Sequence, residues 1–281
     1  MRIYGLDFTS APKKGKPITV AECDLDGDRL AVVALLRFAD LGRFERSLRQ
    51  DGPWVAGMDF PFSQPRRLVR DLGWPDDWES LVRHVAALEP GSFADLLDLY
   101  RKSRPMGDRE HKRRTDVRAK SLSPMKLYFV PLARMFYAGA PRLLASGVSV
   151  LPCRPNGDPR VVVESYPALV ARALVGRRSY KSDQKRKQTA ALEAARRELV
   201  AALAGDAIER RYGLRVDAGP HLRALVDDAS GDLLDAVLAA VQAAWASGRR
   251  DEGWGIPDGC DPLEGWIVDP ETLSRELEEA P

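Results

Sequence analysis

The sequence is poor in the residues that build disulfide frameworks and soft-metal sites. Its three cysteines, Cys23, Cys153 and Cys260, lie far apart and never form a CxxC pair. This number and spacing exclude a disulfide framework and a thiolate zinc site, and they fit a reducing cytosol. The three histidines are isolated, without HxH or HxxxH spacing, so we expect them at surface or core positions rather than on a metal.

Long apolar runs and the common nucleotide-binding motifs are also missing. No run approaches the roughly 20 apolar residues of a membrane span, and the N-terminus has no cationic start followed by an apolar core. We therefore expect no membrane partner and no secretory signal, and we predict a cytoplasmic protein. The motifs GxxxxGKS/T and GxGxxG are absent, which leaves a P-loop or a dinucleotide site unsupported.

The chain also lacks a strong charge of either sign. Its 43 basic and 41 acidic residues give a net charge of +2, so a nucleic-acid surface would have to be local. With 281 residues, 44% hydrophobic and 30% charged, the chain has globular composition and is long enough to bury a core without staples.

Apolar and β-branched runs predict five strands. They lie at residues 2–7, 17–24, 29–36, 54–62 and 160–164. Asp26-Gly27 between the second and third runs indicates a hairpin. Helical patterns occupy residues 40–50, 167–175, 183–204 and 231–247. This order predicts a mixed α/β sheet with helices on both faces.

Two stretches depart from the strand-and-helix pattern. Residues 63–145 carry seven prolines among helical spacings, and we interpret them as a helical insertion in a domain that spans residues 1–250. Residues 251–281 are predicted to form a tail of loop and edge structure that packs on this domain.

Four aspartates stand where chemistry is plausible. Asp7 and Asp59 end separate predicted strands, while Asp232 and Asp235 lie three apart, on one face of the last long helix. Like charges that converge within a few ångströms need a cation to offset them, and Mg²⁺ or Mn²⁺ with carboxylate ligands suits phosphate chemistry. Each acid alone also has an ordinary structural explanation, such as a turn residue for Asp7 or a helix-dipole partner for Asp232.

These residues lie in segments that resemble a known family. The segments IYGLDFTSAP, VAGMDFPF, VVVESYPALVARAL, KSDQKRKQTAALEAARREL and GDLLDAVLAAVQAAW follow one another in the order of the domain of unknown function 429 family. That family is described as predicted ribonuclease H-like nucleases, and it is distantly similar to RuvC-type resolvases. The resemblance implies a ribonuclease H-like five-stranded sheet, with Asp7, Asp59, Asp232 and Asp235 as catalytic metal ligands.

The helix motif departs from the family at its first position. The family tends to have aspartate where this chain has Gly231. Asp227 and Asp228, just upstream, could substitute for that acid or cap the helix.

Glu164 is a fifth catalytic candidate, at the end of the last predicted strand. It could bind metal, support a ligand, or orient Lys181 or Lys185. Pairing with a surface arginine is the ordinary alternative.

Two segments predict contacts with nucleic acid. Residues 101–126 hold ten Lys/Arg against three Asp/Glu, and residues 177–187 hold six against one. Such segments can contact phosphates, although charge runs are often only solvated surface. The predicted contact residues are Arg113, Arg114, Lys120, Lys181 and Lys185.

We therefore predict a divalent-metal-dependent nuclease that hydrolyses phosphodiester bonds in DNA or RNA. One alternative is a ribonuclease H-like module that binds nucleic acid without cutting it. A less favoured alternative is a phosphotransferase of the actin and sugar-kinase type, because Thr9 replaces the glycine expected after Asp7.

Overall fold

The structure is a computed structural model that describes residues 1–278. Within these residues, seven strands form one sheet. The strands are β1 (Arg2–Asp7), β2 (Ile18–Asp26), β3 (Arg29–Phe38), β4 (Trp54–Asp59), β5 (Ser149–Leu151), β6 (Arg160–Glu164) and β7 (Arg215–Asp217). All three cysteines are free.

The sheet is mixed, with strand order β5-β6-β4-β1-β2-β3-β7. Only β2 runs against its neighbours, and every other adjacent pair is parallel. The predicted count of five strands is wrong, because β5 and β7 add edge pairings of three residues each, too short to show alternation. The strand predicted at 54–62 ends at Asp59, where Phe60 turns back to donate to the Met58 carbonyl.

Twelve α-helices surround the sheet within the described residues. They are α1 (Leu41–Leu48), α2 (Arg66–Asp71), α3 (Trp78–Ala86), α4 (Pro90–Lys102), α5 (Arg114–Ala119), α6 (Leu132–Ser146), α7 (Pro167–Val175), α8 (Ala190–Leu203), α9 (Asp206–Tyr212), α10 (Leu222–Asp227), α11 (Asp232–Gly248) and α12 (Pro270–Glu278). None of these helices is both long and apolar enough to cross a bilayer.

The helices differ from the predicted pattern at three places. Helices α9 and α10 lie between the helices predicted at 183–204 and 231–247, where no helix is predicted. The helix expected at 183–204 begins only at Ala190, because Thr189 caps it by accepting from the Leu192 amide and the preceding residues form a loop with a short 3₁₀ turn. The predicted loop tail contains α12, which packs against α5. Between β4 and β5, helices α2 to α6 occupy most of the predicted insertion.

The sheet separates two apolar cores, since side chains alternate between its faces. Val55 and Val163 point towards a core shared with α7 to α11, whereas Met58 and Val162 point towards a core shared with α1 to α4 and α6. Helix α11 is buried along nearly its whole length, as expected for a helix that is apolar on all sides.

Two glycines let α11 lie directly on the central strands. Gly5 of β1 and Gly57 of β4 are register partners. A Cβ at Gly5 would lie 2.0 Å from the Ala236 carbonyl oxygen, and one at Gly57 would lie 2.4 Å from that of Ala239. Any side chain at either position would push the helix away from the strand ends.

Candidate functional site

The first two predicted acids lie side by side at one edge of the sheet. Asp7 and Asp59 are register partners at the ends of the parallel strands β1 and β4. Each stands two residues after one of the paired glycines, so both side chains share the face that α11 covers. The two strands are direct neighbours in the sheet, which places the two carboxylates at one edge.

Helix α11 brings the other two aspartates to the same edge. Its N-cap is Gly231, at φ +75°, a conformation that favours glycine. The Lys181 side chain packs against this residue, because a Cβ there would lie 2.7 Å from the lysine Cβ. The Thr19 hydroxyl donates to the Asp232 carbonyl over 2.7 Å, which ties the helix start to β2. Asp232 and Asp235 are both buried.

The upstream acid Asp228 acts as a helix cap. Its Oδ2 accepts from the Leu233 amide over 2.9 Å, and its Oδ1 accepts from the Ser230 hydroxyl over 2.8 Å. Of the two roles left open for Asp228, substitution for the missing acid or capping of the helix, it has the capping role.

The four aspartates line one cleft of about 780 Å³. This volume is typical of ligand sites. Tyr180 and Lys181, from the loop before α8, line the same cleft. Three further lysines do so as well: Lys13, Lys16 and Lys187.

The cluster is electrostatically strained. Burial raises the pKa of Asp7 well above its usual value, and the charges of the other three aspartates raise it further against the opposing charge of Lys181. Burial, followed by the charge of Asp235, raises the pKa of Asp59 to about 7. The pKa of Asp232 is also raised, mainly by burial. A cation within the cleft would offset this repulsion.

Lys181 supplies one such cation. Its ammonium donates to Oδ2 of Asp235, while the Tyr180 hydroxyl donates to Oδ1. Burial by itself would lower the pKa of Lys181, yet the charges of Asp235 and Asp7 raise it well above its usual value. The ammonium is therefore held charged among the carboxylates.

The donor set can be compared with the needs of a divalent ion. No group of three or more His, Cys, Asp or Glu in residues 1–278 is spaced to hold a metal. The donors are nevertheless carboxylate oxygens, which are the ligands Mg²⁺ and Mn²⁺ take, and burial followed by repulsion from neighbouring carboxylates raises the pKa of Asp7, Asp59 and Asp232. The chemistry of the donors thus fits a hard divalent ion, while Asp235 is engaged by Lys181 and Tyr180.

Glu164 lines the same cleft as the four aspartates, and its charge contributes to the raised pKa of Asp59, but its side chain has other partners. It is the register partner of Met58, one residue before Asp59, so its side chain leaves the sheet on the opposite face. There it pairs with Arg113, with Oε1 2.6 Å from Nη2 and Oε2 2.7 Å from Nη1. The Phe62 amide also donates to Oε2 over 2.9 Å. Of the alternatives left open for Glu164, pairing with an arginine describes this contact, although Arg113 is buried and not at the surface.

Arg113 is correspondingly unavailable for the phosphate contact predicted for it. Its side chain is 1% exposed, and it also binds Asp116 through Nε at 3.0 Å and Nη2 at 2.9 Å. Five charge-assisted or carbonyl contacts, including one to the Glu264 carbonyl at 3.1 Å, use all three guanidinium nitrogens. Arg113 lines the cleft as part of this buried ion-pair network instead.

The other predicted nucleic-acid residues are distributed over the surface. Lys120 and Lys185 are exposed. Arg114 is half-exposed and pairs with Glu276. Several cations of the 101–126 segment pair with acids that lie outside it, such as Arg104 with Asp71. The local charge counted along the sequence therefore overstates the positive charge of the folded surface.

Several residues of the cleft were not among the predicted site residues. Tyr180 precedes the predicted Lys181, and only its contact with Asp235 reveals its position. Lys13 and Lys16 lie in the connection between β1 and β2, shortly after Asp7 in the chain. Their proximity to this candidate acid could have indicated them from the sequence. Lys16 is fixed by an ion pair of 2.6 Å with Asp183.

Together, the sheet and the cleft define an α/β protein with a carboxylate cluster at the carboxyl edge of parallel strands. The chain belongs to the family described as a protein of unknown function, DUF429, which matches residues 5–258. No curated protein and no solved structure matches the chain significantly.

Proposed function

We propose that this protein is a divalent-metal-dependent nuclease, distantly similar to RuvC-type resolvases, with a ribonuclease H-like arrangement of its central strands. The strand order β3-β2-β1-β4-β6, with only β2 antiparallel, supports this arrangement because it places β1 beside β4. The observation that carries the functional proposal is the convergence of four buried or half-buried aspartates around one ammonium group.

Asp7, Asp59, Asp232 and Asp235 would hold Mg²⁺ or Mn²⁺. Bound ions would supply Lewis acidity for attack of water on a phosphodiester and would offset charge on the leaving oxygen. The protein contributes a partly desolvated cleft, in which electrostatic interactions are stronger than in water. Lys181 would release Asp235 on metal binding and could then contact substrate phosphate. Lys13 and Lys187 would contact neighbouring phosphates.

The proposal is tested by metal binding and cleavage in wild type and Asp235→Asn. A ligand that binds only the folded state stabilises it by about 2.7 kcal/mol at one hundred times its Kd. We expect Mg²⁺ and Mn²⁺ to raise the melting temperature of wild type but not of Asp235→Asn, since asparagine keeps the volume and removes the charge. Asp227→Asn is the matched control, because Asp227 is exposed and pairs with Arg223.

Wild type and both variants are then assayed on single-stranded, duplex, hybrid and branched substrates. Cleavage by wild type and by Asp227→Asn, but not by Asp235→Asn, is expected. A wild type that is neither stabilised by metal nor active contradicts the nuclease proposal. Retained nucleic-acid binding would then favour the non-catalytic module, and stabilisation by ATP with ATP hydrolysis would favour the phosphotransferase.

A further inference from the structure

The connection between α5 and α6 exposes apolar side chains into the cleft. Within the described residues, Leu122, Tyr128 and Val130 are between 44% and 54% exposed, and Phe129 is 99% exposed. Single exposed apolar residues are ordinary, but a contiguous group often marks a binding surface. Leu122, Phe129 and Val130 line the cleft that contains the four aspartates.

The backbone holds Phe129 in this exposed position. Its φ is +64°, in the left-handed region that bulky residues seldom adopt. The chain is anchored on both sides. The Tyr128 hydroxyl donates to Asp98 over 3.4 Å, and the Arg101 guanidinium lies 5.3 Å from the Tyr128 ring centre. On the other side, the Leu132 amide donates to the Val130 carbonyl over 2.9 Å. The fold therefore presents the Phe129 ring to solvent at the edge of the cleft.

The same cleft carries positive charge close to its acids. Lys13 and Lys16 reach it from the connection between β1 and β2, and Lys187 reaches it from the loop before α8. An occupant that contacts both an exposed aromatic ring and several lysines needs a flat apolar face and repeated negative charges. A nucleic-acid strand has both, because each nucleotide joins a base to a phosphate.

We propose that Phe129 stacks on an unpaired nucleobase, so that the cleft selects single-stranded nucleic acid over duplex. In a continuous duplex both faces of each base are covered by neighbours, so no base face is free to meet the ring. This inference rests on the proposed function, because it assumes that the cleft receives nucleic acid. It adds which form of nucleic acid is bound and which residue recognises it.

The test measures affinity without cleavage. A fluorescent thymidine oligonucleotide, the same backbone with abasic sites, and a duplex are titrated in EDTA with wild type, Phe129→Ala and Phe129→Trp. Met106→Ala is the matched control, because Met106 is 88% exposed and does not line the cleft. Thermal melting verifies that each variant is folded.

We expect Phe129→Ala to bind the thymidine strand at least about fivefold more weakly than wild type, since stacking contributes about 1–3 kcal/mol per base. Phe129→Trp and Met106→Ala should bind it as wild type does. The abasic strand, which keeps every phosphate, should not distinguish Phe129→Ala from wild type.

Four results would overturn the inference. If Phe129→Ala binds the thymidine strand like wild type, stacking is wrong while the nuclease proposal stands. If it weakens abasic and thymidine strands equally, its effect is not on a base. If it abolishes self-association in sedimentation without changing oligonucleotide affinity, the surface serves a second copy of the chain. If wild type binds no oligonucleotide in EDTA but cleaves one with Mg²⁺ or Mn²⁺, this inference fails alone, and if it also shows no cleavage and no stabilisation by metal, the proposed function fails as well.

Discussion

Replacing Asp59 by asparagine should stabilise the metal-free protein at alkaline pH. The pKa of this carboxyl group is raised to about 7 by burial and by the charge of Asp235, against about 3.9 in an unfolded chain. The folded state therefore binds the proton more tightly than the unfolded state. Stability is greatest below the unfolded pKa and falls as the pH rises towards the folded pKa.

The magnitude follows from the difference between the two pKa values. At about 1.36 kcal/mol per pKa unit, ionisation of Asp59 costs about 1.5 kcal/mol of folding free energy at about pH 5 and about 4 kcal/mol at about pH 8. Asparagine does not ionise, so its advantage over aspartate should grow by about 2.5 kcal/mol between these conditions. Taking this difference cancels any pH-independent cost of fitting the amide.

Urea denaturation in EDTA at both pH values measures the effect. The free energy of unfolding of Asp59→Asn minus that of wild type should increase with pH, whereas the difference for the exposed control Asp227→Asn should stay nearly constant. A difference for Asp59→Asn that is independent of pH, or that decreases as the pH rises, would refute the assigned burial and repulsion.

Two further predictions concern the framework of the cleft. Arg113→Met should lower the free energy of unfolding by about 3–5 kcal/mol, because it leaves two buried carboxylates without their partner. Arg114→Met at the surface should lower it by less than about 1 kcal/mol. Equal losses for the two variants in urea denaturation would contradict the buried network. Gly57→Ala should destabilise the protein strongly or prevent folding, because its Cβ would lie 2.4 Å from the Ala239 carbonyl oxygen. Gly15→Ala is the control, since a Cβ at Gly15 meets nothing within 4 Å and should leave the stability nearly unchanged. A Gly57→Ala protein as stable as wild type would show that α11 does not lie this close to β4.

The paired glycines connect the fold to the candidate site. Helix α11 can supply Asp232 and Asp235 only because its backbone lies directly on β1 and β4. The same contact that buries the helix thus also sets where its first-turn carboxylates lie relative to the strand ends.

Local sequence patterns were sufficient to predict the central strands and the main helices and to single out the four aspartates as candidates. Alternation and the Asp26-Gly27 turn predict strands that pair with neighbouring segments of the chain. A long helix that is apolar on all sides is predicted to be buried. Family membership was also predictable, because it rests on the order of short segments along the chain.

Tertiary structure decided how these elements meet. The edge strands β5 and β7 are too short to carry a periodic signal and form only because longer strands offer free edges. Glu164 stands at a strand end like Asp7 and Asp59, yet its register against β4 turns its side chain to the other face. A difference of one residue in register reverses the direction of a side chain, and no local pattern records that register.

Charge pairing was equally beyond the sequence. Arg113 looked like a surface cation in a basic segment, but it is buried between Asp116 and Glu164, and the latter is 51 residues away in the chain. Lys181 was predicted as a phosphate contact, and its ion pair with Asp235 in the metal-free cleft could not be predicted from the sequence. Whether a charged side chain faces solvent or another charge depends on contacts between distant segments, which only the folded chain brings together.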